Sequence, residues 1–163
     1  MYHILAKYKL TSLHIMVVIL GLTGVFGKLI SLDTIHLVWY RMVIAFLSLA
    51  IFLAFKKQLF SVNKKDFLGI LGVGALVTFH WLCFFESIKV STVSVAVVCL
   101  ATSSLFSAVI EPLFFKRKLL GYEVVMGVIV IIALGFVMGA ETKYIWGYFY
   151  GIMAALLGTL FTL

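Results

Sequence analysis

The sequence predicts an all-α polytopic membrane protein, with five transmembrane helices forming one repeat and part of a sixth helix. Three observations predict it. Hydrophobic residues fill 64% of the 163 positions and charged residues only 12%, where a soluble domain carries about 25%. Apolar runs close to the roughly 20 residues that a spanning helix needs recur along the chain. Lysine and arginine collect in alternate joints between those runs, as the cytoplasmic loops of membrane proteins do.

The runs follow in order. The first covers about Leu10 to Ile30 and the second about Ile35 to Phe55. The third covers about Asp66 to Phe85, the fourth about Thr92 to Phe115, and the fifth about Tyr122 to Met138. A sixth begins near Trp146 and is still apolar at Leu163. Lys7 and Lys9 before the first run resemble the start of a signal peptide, but no small-residue cleavage site follows, so the run is read as a membrane helix. Thirteen glycines and one proline suit helices that pack closely in lipid.

Charge sets the orientation. Lys7, Lys9, Lys56, Lys57, Lys64, Lys65, Lys116, Arg117 and Lys118 lie on one side, nine in all. Lys28, Lys89 and Lys143 lie on the other, and Arg41 falls inside the membrane. The N-terminus is therefore expected in the cytoplasm. The net charge of +7 is a topology signal and calls for no nucleic acid. Trp39, Trp81 and Trp146 are expected near the outer interface as an aromatic belt. Cys83 and Cys99 sit in apolar runs and are read as small packing residues with free thiols.

Small residues recur at helical spacing, as Gly21 and Gly24 before Lys28, Ala45 and Ser48 after Arg41, and Ser94, Ala101, Ser104 and Ala108 in the fourth run. Gly135 and Gly139 form a small-xxx-small pair. Either close packing or a cavity lining explains such faces. The heptapeptides IMVVILG (15–21) and IMAALLG (152–158) share four identities at an offset of 137. That offset restarts a five-helix unit at the sixth run, and an odd helix count inverts the second copy.

In this order of segments the chain resembles the EamA-type repeat of the drug/metabolite transporter superfamily. The likeness is carried by Gly24 to Lys28 closing the first helix, by Thr34 to Arg41 opening the second, by the hydroxyl-rich SIKVSTVSVA (87–96) before the fourth, and by the spaced glycines from Gly121 to Gly135. The resemblance implies a transporter of small organic solutes working by alternating access, an amino acid or related anion or zwitterion, exported. It usually implies two repeats and ten helices. This chain then supplies residues 1–140 as one repeat and 141–163 as the incomplete first helix of an inverted second. A missing second repeat or a second copy of the chain would be its partner in the lipid bilayer of a bacterial inner membrane. The family often has a proline midway along the fourth helix and an acidic residue after it. Here Ser104 and Arg117 stand in those places, so neither feature is carried over.

No enzyme motif survives inspection, and no cofactor is implied. GVFGKL is similar to a phosphate loop, but Leu22 replaces its first glycine and Leu29 its hydroxyl residue. The four histidines lack metal-ligand spacing, so no metal site is expected. A small multidrug-type pump working as a dimer would carry a glutamate in its first helix, and this one has none. A non-transporting membrane accessory protein remains a further alternative.

The polar groups inside the membrane are the candidate site. Arg41 lies about 9 Å below the start of its helix at 1.5 Å per residue, and His80 is expected at a similar depth. With Lys28 and Glu86 above them, the four would surround one outward vestibule. Cationic lining favours a carboxylate or phosphate on the solute. The substrate-binding candidates are Arg41, His80, Lys28, Ser94 and Ser104. Structural alternatives stand beside them. Arg41 can snorkel or pair with Glu86, His80 can pack as a neutral ring beside Trp81, and Lys28 can anchor the interface. Glu111, deep in the fourth helix, is a proton-coupling candidate, or pairs with Lys116 or Arg117.

Overall fold

The structure, a computed structural model, describes residues 8–57, 63–140 and 142–163, without the side chains of residues 65 and 140. Lys7 and the side chain of Lys65 thus lie outside the described residues. The helices are α1 (Lys9–Leu29), α2 (Thr34–Phe55), α3 (Lys64–Val90), α4 (Val93–Ala101), α5 (Ser103–Phe115), α6 (Gly121–Ala140) and α7 (Ile145–Thr162), with a 3₁₀ turn at Thr142–Tyr144 before α7. Six spans are long and apolar enough to cross a bilayer. The sixth, expected as part of a helix, is itself 21 residues long from Thr142 to Thr162.

Two boundaries differ from the sequence reading. The third helix was expected to end near Phe85, yet α3 runs to Val90. The polar SIKV segment stays helical because its last carbonyls find a cation. Lys28 Nζ donates to Ile88 O at 2.8 Å and to Ser91 O at 2.7 Å. Lys89 Nζ in turn donates to Ile30 O, just past the end of α1. Each lysine thus caps the other's helix, where the macrodipole is negative and carbonyls lack intrahelical partners.

The fourth span is interrupted for one residue at Thr102, without a proline there, where the backbone (φ −65°, ψ −12°) stays in the helical region but tightens by one residue. Three successive hydroxyls turn back on the preceding turn. Thr102 Oγ1 donates to Cys99 O at 2.6 Å, Ser103 Oγ to Leu100 O at 2.7 Å, and Ser104 Oγ to Ala101 O at 2.8 Å. The Thr102 amide bonds Cys99 O, an i→i−3 contact, where a regular helix would use residue 98. Hydroxyl side chains compete in this way with the helical ladder. Pro112, the proline present, falls in the last turn of α5, four residues before a left-handed Lys116 (φ 51°) ends the helix.

Side-chain size decides the packing. α7 makes the most extensive contact with α3, and packs next on α4. Its inner face carries Gly147, Gly151, Ala154, Ala155 and Gly158. A methyl at Gly151 would stand 2.5 Å from Cys99 Cβ and 3.1 Å from Ser87 Oγ, so only glycine admits this approach. Gly27 serves α1 likewise, for its absent Cβ would stand 2.5 Å from the buried Phe85 ring. Leu37, Val38, Phe84, Phe85, Ile88, Ala96 and Ala154 form the main core. α1 and α2 pack on α3 and scarcely on each other, while α6 packs on α4 and α5. By contrast Gly21, Gly69, Gly135 and Gly139 meet nothing within 4 Å.

Candidate functional site

The polar groups fall in two places. The first is a cleft of about 480 Å³ between α1 and α2, floored by α3. Arg41 lines it from α2, with Tyr40, Ile44 and Ala45. Its guanidinium carbon sits 3.6 Å from the centroid of the Trp81 ring and 5.7 Å from that of Phe85. A cation over an indole face is held electrostatically by the ring quadrupole. Trp81 is therefore partly buried beneath Arg41 and packed on the core. Trp39 and Trp146 are exposed.

Beyond Trp81 lies a second cavity, of about 210 Å³, at the break between α4 and α5. His80, Ser103, Ser107, Thr159 and Thr162 line it. His80 is 9% exposed, and its Nδ1 donates to Ala154 O at 2.7 Å, since a carbonyl can only accept. That fixes Nε2 as the acceptor nitrogen of the neutral ring. The ring also meets Trp81 and Phe161 edge-on, at centroid distances of 5.1 and 5.3 Å. Gly158 leaves room for it, because a methyl there would approach the ring to 3.1 Å. Thr159, 1% exposed, has Oγ1 within 3.3 Å of Ser103 O and 3.0 Å of Ala155 O.

The single vestibule expected from sequence is thus not assembled. Lys28 is committed to the α3 carbonyls, and its depth follows from that contact. Glu86 makes no ion pair with Arg41 among the described residues; it borders grooves beside Tyr150, away from the Arg41 cleft. His80 lies ten residues before the end of α3, about 15 Å in, deeper than the sequence suggested because α3 is longer. Ser94 and Ser104 are exposed on the outside of α4 and α5, with Ala101 between them on the same surface. Glu111 pairs with Arg117 at 2.9 Å, and Arg117 pairs with Glu123 at 2.7 Å. This three-member bridge ties the end of α5 to the start of α6.

Sequence reading missed Trp81 as the seat of Arg41 and Thr159 as a wall of the inner cavity. The run Ala101–Ser104, ATSS in the middle of an apolar span, was a visible signal for the break. Nothing local to Thr159 could have shown which helix it faces.

The EamA-like transporter family matches residues 9–139. A protein of Haemophilus influenzae described as an uncharacterized transporter is 34% identical over 101 residues, covering 61% of this chain and 33% of that protein. The chain therefore spans about a third of the length of the curated relative it matches. No solved structure matches the chain.

Proposed function

Because the chain belongs to the EamA-like transporter family, we propose that it is one repeat of a transporter that exports small organic metabolites by alternating access. Amino acids and related anionic or zwitterionic solutes are the class. Residues 1–140 are the five-helix repeat in this reading, and residues 141–163 open an inverted second one. A second repeat or a second copy of the chain completes the pathway. The setting is a bacterial inner membrane with the N-terminus in the cytoplasm, on the nine-to-three loop charge count.

The break at Thr102 is the observation that carries this reading. A local 3₁₀ tightening inside a long helix often marks a functional hinge, and transporter sites near the midplane are built where spanning helices are interrupted. Here the break adjoins a mainly apolar cavity edged by hydroxyl side chains and a buried histidine. The exposed Ser94, Ala101 and Ser104 give the same span a small, hydroxyl-bearing outer face, suited to a solute path between repeats. A proton-coupling role for Glu111 would require its bridge to Arg117 to open.

Vesicle flux tests the proposal. An assembly supplying a second repeat should take up labelled amino acids or small carboxylates saturably. Combined Thr102→Val, Ser103→Ala and Ser104→Ala should cut that uptake tenfold or more with expression and elution unchanged. The chain as a demonstrated monomer should show none. Wild-type flux from the monomer, or from the hydroxyl-free variant, would overturn the reading.

A further inference from the structure

The guanidinium of Arg41 has five N–H donors, yet among the described residues it makes no hydrogen bond and no ion pair. Its one close contact is the face of Trp81, at 3.6 Å, with the Phe85 ring at 5.7 Å. Stacking occupies the plane of the group and leaves its edge, which carries the donors, unmatched. A partly buried polar group without a partner is the exception in folded proteins. The cost is largest for a charge held at membrane depth.

The surroundings specify what would match it. The cleft is walled by Phe26, Leu37, Ile44 and Phe85, with Tyr40 beside Arg41. At about 480 Å³ it falls within the range of roughly 300–1,000 Å³ usual for small-molecule sites. It contributes no carboxylate, and Arg41 already places a positive charge in it, so an ammonium group would find no opposite charge there. Polyhydroxylated solutes would find few partners on its walls. An anionic head on Arg41 with an aryl or alkyl body along the walls satisfies both the fork and the apolar surface.

We propose that the cleft between α1 and α2 binds a small amphipathic organic anion, a carboxylate or phosphate ester, with its charged head on the Arg41 edge. The occupant is narrower than the general solute class above, since a zwitterion lacks a partner for its cation. As a solute site the cleft rests on the transporter reading. Its test reads binding, so absence of flux and absence of binding remain separate results. The same chemistry is offered by the headgroup of an anionic lipid, and the experiment separates the two sources.

The probe is Trp81 fluorescence in the whole chain carrying Trp39→Phe and Trp146→Phe, held in phosphatidylcholine nanodiscs. Octanoate is titrated against octanol and octylammonium. A saturable response to octanoate alone is expected, with affinity reduced at least tenfold by Arg41→Gln and at least threefold by Arg41→Lys, which keeps charge but loses the fork. Ile44→Glu provides a second route should Arg41→Gln fail to fold. It sets a carboxylate one turn from Arg41 and should abolish the octanoate response. In discs containing phosphatidylglycerol, an Arg41-dependent change in emission with no octanoate response would assign the cleft to a lipid headgroup. No Arg41-dependent response to octanoate or to phosphatidylglycerol overturns the proposal, as does equal binding of octanol.

Discussion

Removing Lys28 tests how the C-terminal ends of α1 and α3 are held together. Lys28→Met keeps the stem and removes the ammonium, leaving Ile88 O and Ser91 O without their donor at 2.8 and 2.7 Å. A hydrogen bond to a charged group is worth about 1.5–3 kcal/mol net. Against this stands up to about 2 kcal/mol of side-chain freedom that the parent lysine gives up to hold these carbonyls, and water can reach part of this site. A loss of about 2 kcal/mol is therefore expected. For a chain of this size that is about 4–8 °C of melting temperature. The comparison is Lys89→Met, whose contact with Ile30 O is exposed. That loss should be about 0.5 kcal/mol, or about 1–2 °C. Thermal unfolding followed by a thiol-reactive dye suits the assay, since both thiols are free, Cys99 is buried and Cys83 partly so. If Lys28→Met melts within 1 °C of the parent, Lys28 is not a helix cap, and the length of α3 needs another cause.

Two further outcomes follow from the packing and the charge pattern. Gly151→Ala should cost about 1–3 kcal/mol by overpacking, because the new methyl falls 2.5 Å from Cys99 Cβ. Cys99→Gly should recover part of that loss in the double variant, and two independent, additive costs measured by circular dichroism melts would exclude the contact. For topology, single cysteines replace Lys118 and Lys143 in a background lacking Cys83 and Cys99. An impermeant thiol reagent added outside intact cells should label the second site and spare the first. Labelling at 118 would reverse the orientation.

Composition and periodicity determined the class of this protein. Runs of apolar residues at bilayer length leave the chain no soluble alternative, and hydrogen bonding within each helix is satisfied locally. The positions of the apolar helices were legible for that reason. The family resemblance was legible too, and the match over residues 9–139 bears it out. What depends on neighbours far along the chain was not. Lys28 and Ile88 are 60 positions apart, so the extension of α3 to Val90 could not be read from its own polar residues. The assignment of Arg41 and His80 to two pockets that meet at Trp81 required knowing which helices flank α3. α7 reaches His80 through Ala154 and Gly158, across 74 positions in the case of the hydrogen bond. In lipid, apolar surface is equally content against a helix or an acyl chain. Helix pairing is then decided by close fit and by polar partners, and those exist only once the tertiary structure has brought them together.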